Sequence, residues 1–182
     1  MSATLTPAVF FDRDGVVNAS PGDGYVLCVE DFRLSPGIVD ALSLCRERGY
    51  KLILVTSQQG VGKGRMTQAT LDDIHAQMQS MLAMRGAQFD GIYACTHLAG
   101  TCTCRKPSPE MIFHACEVHG LDLSRSWLVG DHDRDIQMAK NASVPCTVRI
   151  LSHHEPNVVA THTLADTLKL AGCLREHLPS VL

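Results

Sequence analysis

One segment near the start of the chain, residues 9–18, constrains the fold more than any other part of the sequence. Three apolar residues run directly into Asp12 and Asp14, and Gly15 follows. A short apolar run bounded by turn residues predicts a buried strand, and in an α/β sheet the carboxyl end of such a strand opens into the crevice where ligands bind. Two carboxylates this close repel each other unless a proton or a cation relieves them. The segment therefore predicts a divalent-metal site, unless it is only a strand followed by an Asp-Gly turn.

The rest of the chain alternates predicted strands with predicted helices. The strands are expected over 9–12, 51–56, 91–95, 127–130 and 146–150, and the helices over 36–49, 67–85, 107–120, 133–143 and 164–178. This order predicts an α/β fold with a doubly wound, mainly parallel sheet and helices on both faces. At 182 residues, the chain is expected to form a single domain over 1–182.

Composition excludes several classes of partner. A net charge of −3 gives no electrostatic reason to expect nucleic-acid binding, and no apolar run approaches the roughly 20 residues of a membrane span. Residues 1–7 do not resemble a signal peptide. We therefore expect a cytosolic monomer without nucleic-acid or membrane partners, in a compartment where thiols stay reduced.

Three further segments carry polar residues where predicted strands end or helices begin. Thr56-Ser57-Gln58-Gln59-Gly60 ends the second strand, and a hydroxyl followed by backbone N–H groups suits phosphate oxygens. Arg105 and Lys106 precede a predicted helix start, where anions are favoured. Asp131 ends the fourth strand as Asp12 ends the first, and Asp135 follows one helical turn later. Taken singly, these residues could equally be turn closures, a surface basic pair and a helix cap.

Residues 95–104 contain three cysteines and one histidine: Cys95, His97, Cys102 and Cys104. A closed set of three thiolates and one imidazole suits a structural Zn²⁺ ion. The alternative is a redox thiol pair, but the C-x-C spacing differs from the C-x-x-C of redox proteins. We expect this zinc loop to set where Arg105 and Lys106 point.

Taken in order, the D-x-D-G, Thr-Ser, Lys-Pro and G-D-x-x-x-D segments resemble the four motifs of the haloacid dehalogenase superfamily of phosphohydrolases, across roughly residues 8–150. The resemblance implies a Rossmann-like fold in which Asp12 attacks phosphorus and Asp14 serves as general acid and then base. It implies that Lys106 and Thr56 hold the phosphoryl oxygens. It also implies that Mg²⁺ lies between Asp12, the backbone carbonyl of Asp14 and Asp131. Asp135 is expected to orient its neighbours.

Within the superfamily, the zinc loop before Arg105 is similar to that of the branch containing the D-glycero-D-manno-heptose bisphosphate phosphatases and the histidinol-phosphate phosphatases. This implies a small phosphorylated metabolite as substrate: the 7-phosphate of heptose 1,7-bisphosphate, in the carbohydrate metabolism that supplies lipopolysaccharide, or alternatively histidinol phosphate. Residues 22–25 resemble the substrate loop of the heptose enzymes. Ser57 and Gln59 depart from them, and His132 could equally be a solvated residue at a helix start. The expected substrate contacts are Gly22, Asp23, Gly24, Tyr25, Ser57, Gln58, Gln59, Arg105 and His132.

Two alternative hypotheses for the function are a zinc-stabilised, non-catalytic binding protein and a polynucleotide phosphatase. The intact set of Asp12, Asp14, Thr56, Lys106 and Asp131 argues against the first, and the acidic balance of charge argues against the second. The 44 positions between Asp12 and Thr56, and the 50 between Thr56 and Lys106, leave no room for a separate cap domain.

Overall fold

A sixth strand joins the five predicted ones in a single parallel sheet. The computed structural model describes residues 5–181. Its strands run in the spatial order β3-β2-β1-β4-β5-β6. Their bounds are Ala8–Phe11 (β1), Lys51–Ser57 (β2), Gly91–Cys95 (β3), Trp127–Gly130 (β4), Cys146–Ile150 (β5) and His162–Leu164 (β6). The strand order changes direction between β1 and β4, which is where α/β sheets open a crevice for ligands.

Six α-helices lie within residues 5–181, and five of them pack on the sheet. The six are Ile38–Glu47 (α1), Gln59–Gly62 (α2), Gln68–Ala83 (α3), Glu110–His119 (α4), Asp133–Asn141 (α5) and Leu170–His177 (α6), with 3₁₀ turns at Val29–Asp31, Leu123–Arg125 and Thr167–Lys169. Side chains from α1, α3 and α6 pack on one face of the sheet, and those from α4 and α5 pack on the other. This arrangement confirms the predicted doubly wound α/β fold.

Both faces of β1 are buried, because alternate residues of a strand point to opposite sides of the sheet. Val9 and Phe11 belong to the core under α1, α3 and α6, whereas Phe10 belongs to the core under α4 and α5. All three residues are 0% exposed. The backbone that carries Asp12 is therefore held from both sides, which fixes the position of its carboxylate.

Helix α3 begins where its sequence predicts and ends at Ala83, two residues before the predicted end. Thr67 is its N-cap, and the side chain of Thr67 accepts a hydrogen bond of 3.0 Å from the backbone N–H of Thr70. Gly86 has a φ of +62°, a conformation that favours glycine after a helix.

Two helices begin several residues later in the structure than the sequence predicts. The helix expected over 107–120 begins at Glu110, because the residue before Pro109 is pushed out of the helical region by the proline ring. The helix expected over 164–178 begins at Leu170, and Leu164 instead ends the short strand β6. Three residues are too few to show the alternation that predicts a strand. Between residues 5 and 181, no helix is both long enough and apolar enough to cross a membrane.

Candidate active site

The carboxyl end of β1 brings Asp12 into contact with Lys106, a residue 94 positions later in the chain. Nζ of Lys106 donates to Oδ1 of Asp12 at 2.6 Å and to Oδ1 of Asp135 at 2.7 Å. The Lys106 side chain is only 1% exposed. Burial alone would lower the pKa of Lys106, but the negative charges of Asp12 and Asp135 outweigh that effect and raise it. Lys106 is therefore a fixed buried cation at this point of the structure.

Three carboxylates converge beside that cation. The side chains of Asp12, Asp131 and Asp135 each offer an oxygen, and these oxygens all lie within 4.8 Å of one another. Burial raises the pKa of Asp12 to about 6, with Lys106 opposing the rise and Asp135 adding to it. Burial raises the pKa of Asp131 to about 7, and the charges of Asp12 and Asp135 add to that rise. One lysine does not balance three carboxylates, so the chemistry of this cluster suits a further cation bound by oxygen.

Gly15 makes the approach of Asp131 to the β1 loop possible. Its φ is +83°, and a Cβ atom at this position would collide with the carboxylate of Asp131. Glycine is therefore required at position 15 for two reasons. The backbone there is left-handed, and the residue after β4 packs too closely for a Cβ atom.

Asp14 lies outside the carboxylate cluster and is held by donor groups from three residues. Arg13 Nη2 and Asn18 Nδ2 each donate to Oδ1 of Asp14 at 3.0 Å, and Gln58 Nε2 donates to Oδ2 at 3.0 Å. The Asp14 side chain remains 27% exposed, facing the adjoining cleft. These donor groups therefore fix its orientation while leaving it accessible.

Gln58 is placed differently from the prediction. It was expected to contact substrate, but it is only 1% exposed and does not line the cleft. Its amide nitrogen donates to Asp14 and, at 2.8 Å, to Oγ1 of Thr56. The side chains of residues 56 and 58 point the same way because they are two positions apart along an extended chain. Gln58 is thus a positioning residue beneath the cleft.

A cleft of about 320 Å³ lies above the carboxylates. It is lined by eight of the nine predicted substrate contacts, namely Gly22, Asp23, Gly24, Tyr25, Ser57, Gln59, Arg105 and His132. The Tyr25 hydroxyl accepts a hydrogen bond of 3.0 Å from Lys63 Nζ, which ties the predicted substrate loop to the end of α2. His132 also lines the cleft. It is the N-cap of α5, and its Nδ1 accepts a hydrogen bond from the backbone N–H of Arg134.

The cleft walls carry polar atoms whose hydrogen-bonding capacity is unused. Three buried atoms, Ser57 Oγ, Arg105 Nη1 and Arg134 Nε, have no hydrogen-bond partner among residues 5–181. Arg105 reaches Gln59 Oε1 only at 3.5 Å through its other terminal nitrogen. Buried donors left without partners are costly to a folded protein. Two arginine side chains that line a single cleft suit an anionic ligand.

The second predicted site also assembles. Cys95 Sγ lies 3.5 Å from Cys102 Sγ, 3.1 Å from Cys104 Sγ and 3.8 Å from His97 Nδ1, and Cys104 Sγ lies 3.4 Å from His97 Nδ1. Thiolates bound to one zinc ion at about 2.3 Å in a tetrahedron lie about 3.8 Å apart. The four side chains therefore fit a single tetrahedral ion. Cys104 is followed directly by Arg105 and Lys106.

Comparison with known families decides which family the chain belongs to. The haloacid dehalogenase-like hydrolase model matches residues 9–143, which include both strands that end in carboxylates. The chain belongs to the haloacid dehalogenase-like hydrolases. It is 37% identical over 152 residues to a D-glycero-beta-D-manno-heptose-1,7-bisphosphate 7-phosphatase of Yersinia pestis, covering 79% of this chain and 80% of that protein. It is 38% identical over 143 residues to the enzyme of the same name from Helicobacter pylori strain J99, covering 78% and 81%.

A solved structure agrees with these relatives. The D,D-heptose 1,7-bisphosphate phosphatase of B. bronchiseptica, crystallised with magnesium and phosphate, superposes with a TM-score of 0.82 at 28% identity. The superposition covers 94% of this chain and 99% of that one. As a haloacid dehalogenase-like hydrolase with phosphatase relatives, this chain is an enzyme of the phosphatase type.

Several residues that surround the cleft of this hydrolase were not predicted from the sequence. Arg13 is 0% exposed and binds Asp14, and Arg134, His153 and His154 line the cleft. His153 and His154 follow the carboxyl end of β5. Their place directly after a predicted parallel strand was a usable signal, since all parallel strands end at the same edge of the sheet. Arg134, in the first turn of α5, had no comparable signal.

Proposed function

We propose that this hydrolase removes the 7-phosphate from D-glycero-β-D-manno-heptose 1,7-bisphosphate, leaving the 1-phosphate on the sugar. The single observation that carries the substrate class is the pair of arginines, Arg105 and Arg134, that line the cleft beside the carboxylates, each with one buried guanidinium nitrogen that has no partner among residues 5–181. A bisphosphate presents one phosphate to the buried cluster and a second to these cations. The names of the relatives supply the identity of the sugar.

In this proposal, the carboxylate of Asp12 attacks phosphorus and forms an aspartyl-phosphate while the sugar oxygen leaves. Asp14 donates a proton to that oxygen and then removes a proton from the water that hydrolyses the aspartyl-phosphate. The contacts from Arg13, Asn18 and Gln58 hold Asp14 at the cleft wall for both steps. Lys106 and Thr56 bind the phosphoryl oxygens as their charge shifts in the transition state.

Mg²⁺ fits the oxygen cluster, and we propose that the side chains of Asp12 and Asp131, with the backbone carbonyl of Asp14, hold it. When bound, the ion neutralises phosphate charge and the charge of the carboxylates around it. Asp135 has both oxygens occupied, one by Lys106 and the other by the backbone N–H of His132 at 3.0 Å. It therefore serves as a positioning residue, which agrees with the expectation from sequence.

We propose that Cys95, His97, Cys102 and Cys104 bind a structural zinc ion. Their mutual distances and their soft donor chemistry support this assignment. The ion would hold the loop whose end carries Arg105 and Lys106. A reducing compartment such as the cytosol suits three thiolate ligands. That the enzyme is a capless single domain and a monomer stays a prediction.

Histidinol phosphate is the less favoured substrate. Its leaving portion carries a cationic amine, which would be repelled by Arg105 and Arg134 in the same cleft. The two curated relatives described above also carry the heptose name. A binding protein without catalysis is disfavoured because Asp12, Lys106 and Asp131 all converge as a hydrolase requires.

The test is a phosphate-release assay on heptose 1,7-bisphosphate, histidinol phosphate and an aryl phosphate, at equal concentration and with Mg²⁺ in excess. We expect the highest kcat/KM on the heptose bisphosphate. Phosphorus NMR of the product should show that the sugar 1-phosphate remains. A preference for histidinol phosphate, or loss of the 1-phosphate, would refute the substrate assignment while leaving the phosphatase chemistry intact.

A further inference from the structure

A second group of soft metal ligands lies far from the catalytic cleft. His162 stands at the start of β6, and Cys173 and His177 are four residues apart on α6. Each offers one ligand atom, and these three atoms lie within 4.8 Å of one another. Residues at positions i and i+4 of a helix share one face, so α6 presents both of its donors to the strand beside it.

This cluster lies at the opposite end of the sheet from the active site. His162 pairs with Val148 of β5, and Cys146 of β5 pairs in turn with Trp127, the first residue of β4. Asp131 follows the last residue of that same strand. Since each residue of a strand advances about 3.3 Å, the cluster and the catalytic carboxylates are separated by roughly the length of β4.

The imidazole of His162 lies between two other rings. Its centroid is 5.7 Å from that of the Trp127 side chain, with planes 5° apart, and 4.4 Å from that of His177, with planes 20° apart. Oε2 of Glu176 lies 3.7 Å from Nε2 of His177 and adds negative charge at the edge of the cluster.

We propose that His162, Cys173 and His177 form a second zinc site, separate from the Cys95 loop and from the catalytic centre. One thiolate and two imidazoles are donors that Zn²⁺ prefers, and a water molecule would complete a tetrahedron. The exposed ring of His177 would turn out of its stack on His162, because the nitrogen lone pairs of two parallel rings do not point at one ion. On binding, Cys173 releases its proton to solvent and the sulfur becomes the third ligand. The ion would hold the end of α6 against β6, which is the edge strand of the sheet and is only three residues long. It would therefore stabilise that edge.

Trp127 makes the proposal directly measurable, because it is the only tryptophan in the chain and it stacks on one of the three ligands. The experiment uses the full enzyme with the Cys95 loop loaded with zinc and Mg²⁺ in excess. Ni²⁺, an open-shell ion that quenches nearby indoles, is then titrated in. We expect saturable quenching of Trp127 at one ion per chain, reversed by added Zn²⁺, with the rate of phosphate release unchanged.

Cys173→Ser and His177→Ala should each weaken this binding by at least about tenfold, since even indirect support of a metal costs that much when lost. Both side chains are at least partly exposed, so both variants should fold. Cys28→Ser is the matched control, because it removes a thiol that lies outside every cluster. Its Ni²⁺ titration should match that of the parent enzyme.

Two outcomes would overturn the proposal. The first is quenching that is absent, or that is the same in Cys173→Ser and His177→Ala as in the parent. The second is a Ni²⁺ ion that binds in competition with Zn²⁺, leaves Trp127 unquenched and is lost in His153→Ala. That result would place the ion on the exposed group of Asp23, His153 and His154 at the mouth of the cleft.

Discussion

Nζ of Lys106 lies 2.6 Å from Oδ1 of Asp12, and both side chains are almost completely buried where β1 ends. The same nitrogen reaches Asp135 at 2.7 Å, so one cation joins a residue after β1 to a residue on α5. The contact holds the nucleophile of the proposed reaction in one orientation. It also places a positive charge where the transferred phosphoryl group would carry negative charge.

Asp12→Asn should abolish turnover while the fold survives. The amide keeps the shape of the side chain but is a much poorer nucleophile and metal ligand. We expect kcat to fall by about 10⁴-fold or more, as for other catalytic groups that act as a unit. Phosphate release and circular dichroism together check the prediction, with Asp166→Asn, an exposed carboxylate, as the control. Measurable turnover by folded Asp12→Asn protein would exclude Asp12 as the nucleophile.

The carboxylate site was predictable because its signals are local. Asp12 and Asp131 each follow an apolar strand directly, so the sequence that makes the strand also delivers the side chain. The structure adds what spacing cannot show, namely that Asp135 shares Lys106 with Asp12. The motif order predicted that these residues meet, but the distribution of contacts among them depends on packing between β4 and α5.

The cleft walls were harder to predict because they come from loops that are distant in sequence. His153 belongs to the loop after β5, yet its Nε2 lies 3.4 Å from Oδ1 of Asp23 in the loop after β1. No periodic pattern relates these two positions. The position of Gln58 depends on a local detail instead. The second strand is predicted to end at residue 56, but it continues to Ser57, and the side chain of Gln58 that follows is buried.

His75 should make stability depend on pH. It is 8% exposed, and its Nε2 accepts from Nη1 of Arg13 at 3.4 Å. Burial and then the charge of Arg13 lower its pKa from 6.5 to about 4. The unfolded chain therefore binds a proton at a higher pH than the native one does. The stabilisation by neutral His75 is complete above pH 6.5 and is lost as pH falls toward 4, amounting to about 2–3 kcal/mol.

His75→Gln isolates this effect, since the neutral amide cannot be protonated in that range. Urea unfolding of both proteins should show the parent losing about 2–3 kcal/mol relative to the variant between pH 7.5 and pH 4.5. Comparing the two proteins matters because the raised pKa values of Asp12 and Asp131 act in the opposite direction, with stability falling as pH rises toward 7. Parallel pH profiles would show that His75 titrates normally.

Cys104→Ser should lower zinc content and catalytic efficiency together. The hydroxyl is a poor zinc ligand, and a site that loses one of four ligands releases the loop before Arg105. The parent enzyme should carry about one tightly bound zinc ion per chain from this site. Metal analysis of dialysed protein checks both statements, and Cys116→Ser provides a half-buried thiol outside the cluster as the control. Full zinc content in Cys104→Ser would remove Cys104 from the ligand set.

Arg105→Ala should separate substrate recognition from catalysis. Arg105 lines the cleft and keeps a buried Nη1 without a partner among residues 5–181, whereas the adjacent Lys106 is committed to Asp12 and Asp135. In the proposed function, Arg105 binds the second phosphate or the sugar hydroxyls through its planar group. Losing one charge-assisted contact costs roughly 1.5–3 kcal/mol, or about 10- to 100-fold in kcat/KM.

That loss should appear on the heptose bisphosphate and be much smaller on an aryl phosphate, which has no second phosphate to offer. Arg105→Lys keeps the charge but not the planar fork, so it should recover only part of the lost efficiency. Arg85→Ala controls for loss of a surface charge, because its partner Asp40 is equally exposed. Equal losses on the two substrates would instead place Arg105 among the groups that act on the transferred phosphate, and the argument for a bisphosphate would then rest on Arg134 alone.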